Sequence, residues 1–126
     1  MIERKDVALL GERNALGFLK KKGFRIVDKN YRTKFGEIDI IAQDKKTLCF
    51  IEVKTRNIDT QISPKESVNS KKQEKISKSA LYYLKEKDLL KKKARFDVIS
   101  ISIKKSGEKE IELIKDAFSL NPKFLY

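Results

Sequence analysis

Three residues on two neighbouring runs carry the chemistry this chain offers: Asp39 in Glu37-Ile38-Asp39-Ile40-Ile41-Ala42, and Glu52 and Lys54 in Leu48-Cys49-Phe50-Ile51-Glu52-Val53-Lys54. Asp44-Lys45-Lys46-Thr47 lies between the runs and reads as a tight turn. Folded about that turn, facing residue numbers sum to 91, so Asp39 stands opposite Glu52 and Glu37 opposite Lys54. Directly opposed side chains have Cβ atoms roughly 5 Å apart. Two carboxylates that close repel unless a proton or a cation lies between them. A divalent metal is the obvious candidate. Lys54 shares a strand face with Glu52, two residues away. Carboxylates that hold one or two metal ions, beside an ammonium that stabilises developing negative charge, suit phosphodiester hydrolysis.

The elements that must position these groups follow from periodicity. Alternation puts Ile38, Ile40, Ala42, Cys49, Ile51 and Val53 on one apolar face of the hairpin. The other face carries Glu37, Asp39, Ile41, Phe50, Glu52 and Lys54, an acid-rich patch. The plain alternative is a solvated face with Glu37 and Lys54 as a surface pair. A slip of one residue would also undo the pairing. Residues 3–22 read as a helix with Ala8, Ala15 and Leu19 on its stripe and Glu12 inside that stripe. A core-facing carboxylate is costly unless paired or bound to a cation. Glu12 is therefore a third candidate acid, its alternative role being the partner of a buried basic residue.

Lys20-Lys21-Lys22-Gly23 is a basic last turn followed by a glycine stop. Phe24 to Tyr31 reads as the first strand. Ser63-Pro64-Lys65-Glu66 is a helix start with a capping box. That helix is expected to run to about Lys87, with Val68, Ile76, Ala80, Tyr83 and Leu84 buried. Arg95 to Ile103 and Glu110 to Lys115 read as further strands. The order predicts an α/β fold, a mixed central sheet flanked by helices. One domain spans 1–126, with a core of about 3–115 and a tail, 116–126, that completes the core or meets a partner; a homodimer is one use for it.

Composition narrows the chemistry. The chain has 126 residues and no histidine, which removes imidazole catalysis and zinc sites of the Cys/His type. Oxygen donors favour magnesium or manganese. Cys49, the single cysteine, is expected to be buried and inert. No run approaches a membrane span, and the opening Met1-Ile2-Glu3-Arg4-Lys5-Asp6 is no signal peptide, so a cytoplasmic location and no membrane partner are expected. The net charge is +12, with +6 on residues 1–35, −1 on 36–62 and +7 on 63–95. Two basic segments flanking an acidic hairpin suggest a polyanion, most often nucleic acid. The alternative is that a lysine-rich composition merely confers solubility. Arg32, Lys34, Arg56, Lys71 and Lys72 are candidate phosphate contacts, each open to being an ordinary surface cation.

Asp39 followed by Glu52-Val53-Lys54 resembles the D…(D/E)-x-K core of the PD-(D/E)XK nucleases, the restriction-endonuclease-like fold. Glu12 matches the first-helix acid of Holliday-junction resolvase-like members. The closer resemblance is to the bacterial YraN-like family. It rests on Gly11-Glu12 with Ala15, Asn30-Tyr31-Arg32, Gly36-Glu37-Ile38-Asp39, Glu52-Val53-Lys54-Thr55-Arg56, Ser63-Pro64 and Arg95-Phe96-Asp97-Val98, across roughly residues 10–100. Ile38 stands where the superfamily often has proline, as it does in the YraN-like pattern. The resemblance implies a restriction-endonuclease-like domain. It implies Glu12, Asp39, Glu52 and Lys54 as catalytic residues, with Asp39, Glu52 and Glu12 holding Mg2+ or Mn2+. The implied activity is hydrolysis of DNA, rather than RNA, at branched or damaged structures. The alternative is an accessory protein of the same fold that binds nucleic acid and cuts poorly or not at all. An interaction protein whose charge is incidental is a third reading.

Overall fold

The computed structural model describes residues 4–57, 69–104 and 106–119. Its elements are α1 (Arg4–Lys21), β1 (Arg25–Thr33), β2 (Gly36–Asp44), β3 (Thr47–Asn57), α2 (Ser70–Glu86), β4 (Ala94–Ile103) and β5 (Lys109–Phe118). The five strands form one sheet in sequence order. Neighbours are antiparallel except β3 and β4, which are parallel. A parallel pair needs a crossover, and the connection between β3 and β4 carries α2. This is the α/β arrangement expected, a mixed sheet with helices against it, consistent with the restriction-endonuclease-like fold.

Local chemistry sets the helix ends. Gly23 takes φ +91°, and the Phe24 N–H donates to the Leu19 carbonyl at 3.0 Å, closing α1 with a left-handed glycine. Leu19 and Phe24 then bury together against the sheet. At the start of α2 the Asn69 side chain accepts from the Lys72 N–H at 3.0 Å. Asn69 itself is extended, so the helix does not run unbroken from residue 63 to 87 as expected. The Ser63-Pro64-Lys65-Glu66 start and Val68 lie outside the described residues, as do residues 120–126 of the tail. β5 reaches Phe118, three residues beyond its expected end.

Helices cover both sheet faces. Ala15 and Leu19 of α1 pack on Ile40, Ala42, Cys49, Ile51, Ile99 and Ile101. Ile76, Ala80, Tyr83 and Leu84 of α2 pack on Ile38, Ile41, Leu48, Phe50, Phe96 and Val98. Both faces of the β2–β3 hairpin therefore contribute to a core, and the expected division into one apolar and one acidic face fails. Ile38 is the instructive residue. It packs with Ile41 under α2, whereas Ile40 packs under α1. The alternation that joined Ile38 to Ile40 breaks at Asp39.

Cys49 is fully buried as expected, and burial pushes its thiol up to about 12. Asp97, also fully buried, accepts from Arg95 Nε at 2.9 Å and from the Asp116 N–H at 2.9 Å. Arg95 also bonds Asp44 at 2.9 Å, so this knot pins the hairpin-turn end of the sheet. Among the described residues, no helix is long and apolar enough to cross a membrane.

Candidate metal and active site

The site forms where the β2–β3 ladder opens. Pairing runs from Asp44↔Thr47 to Ile40↔Ile51, the register expected from the sequence, and stops one step short of Asp39 and Glu52. At that step the Val53 N–H donates to the Asp39 side chain, Oδ2, at 2.8 Å. A carboxylate thus takes the place of a backbone carbonyl. Beyond it β2 stays paired with β1, through Arg32↔Glu37 and Thr33↔Gly36, while β3 stays paired with β4 to Asn57↔Ile103. This substitution also accounts for the change of phase at Ile38.

Helix α1 closes over the opening. A Cβ built on Gly11 would collide with Thr55 Oγ1, so only glycine lets the helix lie this close to β3. The next residue is Glu12. One carboxylate oxygen from each of Glu12, Glu37 and Asp39 lies within 4.8 Å of the other two. The Asn30 amide, with its nitrogen turned to the acids, lies 2.8 Å from Glu37 Oε1 and 3.2 Å from Glu12 Oε1. Asn30 reaches them from a left-handed backbone, φ 52°. Arg32 Nε approaches Glu37 Oε2 at 3.5 Å from an exposed side chain. A neutral amide and a solvated guanidinium lie against these carboxylates, with the Lys54 and Lys72 ammoniums also in electrostatic reach of Asp39. Burial, and then the charges of Glu52, Glu12 and Glu37, push the Asp39 carboxyl up to about 7, against the opposing pull of the Val53 N–H.

Glu52 faces a different set of partners. Its side chain is 8% exposed and pairs with Lys72 Nζ at 2.7 Å and Lys54 Nζ at 3.6 Å. Burial and the neighbouring Lys72 lower the Lys54 ammonium below its ordinary value. Lys72 is held above its own: burial opposes its charge, but the contacts with Glu52 outweigh that. The fold therefore gathers Glu12 and Asp39 with Glu37, and sets Glu52 beside them between two lysines. The expected facing of Glu37 and Lys54 gives way to separate partners, Arg32 and Glu52.

Oxygen-only donors at this spacing fit a hard divalent cation such as Mg2+ or Mn2+. Glu12, Glu37 and Asp39 are the residues that would hold it, with Glu52 within electrostatic reach of Asp39. The sequence reading placed Glu37 opposite Lys54 and gave Asn30 no role in the site, although Asn30-Tyr31-Arg32 stood among the matching motifs.

The other candidate contacts scatter. Arg32 and Lys34 are exposed on and just after β1, with Lys34 Nζ 5.3 Å from the Phe35 ring centre. Lys71 is exposed at the start of α2. Lys72 is turned inward onto Glu52 rather than outward as a surface cation. Arg56 is half-buried, its Nη1 enclosed and without a hydrogen-bond partner among the described residues.

Comparison with known proteins returns a consistent result. The model of the "Uncharacterised protein family UPF0102" matches residues 11–101. A UPF0102 protein of Syntrophus aciditrophicus is 50% identical over 88% of this chain and 87% of its own. One of Desulfosudis oleivorans is 46% identical over 94% of both chains. One of Alkaliphilus metalliredigens is 44% identical over 90% of this chain and 98% of its own.

Proposed function

The chain belongs to the uncharacterised protein family UPF0102, and we propose that it is a divalent-metal-dependent nuclease that hydrolyses DNA phosphodiester bonds at branched or damaged structures. The observation that carries this reading is the convergence of Glu12, Glu37 and Asp39, oxygens within 4.8 Å, at the point where two strands part. The chain's net charge of +12 suits a phosphate backbone.

A bound Mg2+ or Mn2+ supplies charge neutralisation at the phosphate and an acidified water. The protein's own residues do the rest. Glu12, Glu37 and Asp39 would hold the ion through their carboxylate oxygens. Burial and the Glu52 charge raise the Asp39 carboxyl to about 7, and a cation held there would favour its ionised form. Lys54 lies beside Glu52 on the strand that leaves the ladder, where its ammonium stabilises charge developing on the phosphate. Contacts of Lys71 and other exposed cations with the backbone hold the substrate without reading its sequence.

A second reading has its own support. Lys72 sits on Glu52 at 2.7 Å and occupies a carboxylate that the nuclease pattern assigns to the metal. A protein that keeps this pair closed would bind nucleic acid and not cut it. The two readings separate on one assay. Protein is incubated with single-stranded, duplex and four-way-junction DNA, and with RNA, in Mg2+, Mn2+ or chelator. Cleavage that needs metal and is lost in Asp39→Asn and Lys54→Met supports the nuclease. Salt-sensitive binding that survives both changes, with no substrate cut, supports the accessory protein.

A further inference from the structure

Tyr31, Arg32, Thr33, Lys34, Tyr82 and Glu86 line an open groove of about 460 Å³ between the outer strand β1 and the last turns of α2. That is the scale of a small-ligand cleft, about 300–1,000 Å³. Tyr82 is 47% exposed at its wall, whereas its chain neighbour Tyr83 is buried at 3%. Tyr31 packs edge-on against Tyr83, with ring centres 5.1 Å apart, which fixes the side of the groove near the core.

The groove opens beside the acids. Arg32 lines it and also reaches Glu37 Oε2 at 3.5 Å, and Glu37 belongs to the carboxylate cluster. Two cations, Arg32 and Lys34, stand on the β1 side. The single acid, Glu86, stands on the α2 side with Tyr82. A polyanion would keep its phosphates by the β1 cations and away from Glu86. Its base would then lie toward α2, beside the exposed Tyr82. Only an unpaired base has a free face to stack, because bases within a duplex are covered on both sides.

We propose that this groove binds single-stranded DNA, with a base stacked on Tyr82 and the flanking phosphates on Arg32 and Lys34, so that the substrate carries an unpaired strand next to the acid cluster. The link to that cluster rests on the nuclease reading; the binding site itself does not.

The test uses the full chain in chelator, with labelled single-stranded, blunt-duplex and flapped-duplex DNA followed by fluorescence anisotropy. Tyr82→Ala should weaken single-strand and flap binding about tenfold, the loss of one stacked base, and leave the blunt duplex unchanged. Tyr82→Phe should bind like the unmodified protein. Equal single-strand affinity for Tyr82→Ala, or an equal loss on all three DNAs, overturns the proposal. A parallel incubation in Mn2+ separates the two ideas. If Tyr82 behaves as stated and nothing is cut, the groove stands and the nuclease reading falls. If DNA is cut and Tyr82→Ala binds unchanged, the groove assignment falls alone.

Discussion

Lys72 Nζ lies 2.7 Å from Glu52 Oε1, on a carboxylate that is 8% exposed. The lysine comes from the first turn of α2 and the glutamate from β3, on either side of the crossover between the parallel strands. Lys72 is thus a cation built into the site, where it meets a charge that the sheet alone would leave buried. A metal reaching Glu52 would have to displace it.

Removing it should be visible without any substrate. Lys72→Met leaves Glu52 with Lys54 alone, at 3.6 Å. In chelator, Lys72→Met should lose about 1–2 kcal/mol, less than a fully buried pair because Lys72 is partly exposed. Mn2+ should recover much of that loss, and its affinity should exceed that of the unmodified protein. Thermal melts with and without Mn2+ read both effects; melts that coincide with those of the unmodified protein refute them.

Asp39 gives the pH dependence. Its carboxyl is raised from 3.8 to about 7, so the folded state holds the proton more tightly than the unfolded chain. The stability this contributes is complete below about pH 4 and is lost as pH rises through about 7. Asp39→Asn keeps an acceptor for the Val53 N–H and cannot ionise. In chelator it should be the more stable form at about pH 8, by on the order of 3 kcal/mol, with the gap closing toward about pH 4. A gap that does not vary with pH would mean that the carboxylates are not crowded.

Gly11 tests how α1 is seated. Alanine is the better helix former by about 1 kcal/mol, yet Gly11→Ala drives its Cβ into Thr55 Oγ1. A net loss of about 1–3 kcal/mol is expected, together with weaker Mn2+ binding as Glu12 moves off. Thr55→Ala removes the obstructing hydroxyl, so the double variant should regain both properties. Denaturant unfolding of the four proteins closes the cycle. Additive losses would contradict the contact.

Much of this site was legible before the fold. The hairpin register held because its turn and its alternating pairs agree, from Asp44↔Thr47 to Ile40↔Ile51. Glu12 stood out as an acid on an apolar stripe. The fold class followed from the order of elements. What was not legible depended on breaks in regularity. Ile38 changed sides because the Asp39 side chain, rather than the backbone, bonds Val53. Asn30 and Glu37 joined the acids through a left-handed residue and a register shift between Ile26 and Asp28 in β1, neither of which hydrophobic spacing encodes. Lys72 stood among the candidate phosphate contacts because no local pattern says which lysine of a helix's first turn faces a buried carboxylate. The covered second sheet face was missed because Ile41 and Phe50 alternate with acids.

The account rests on Glu12, Glu37 and Asp39 sharing a divalent cation, and Mn2+ binding followed by electron paramagnetic resonance tests that most directly. The unmodified protein should deplete the free-ion signal in a saturable titration at about pH 8, where Asp39 is deprotonated. Depletion should be abolished in Asp39→Asn and weakened in Glu12→Gln. A titration in which the unmodified protein and Asp39→Asn leave the same free Mn2+ would contradict the metal site and, with it, the proposed nuclease.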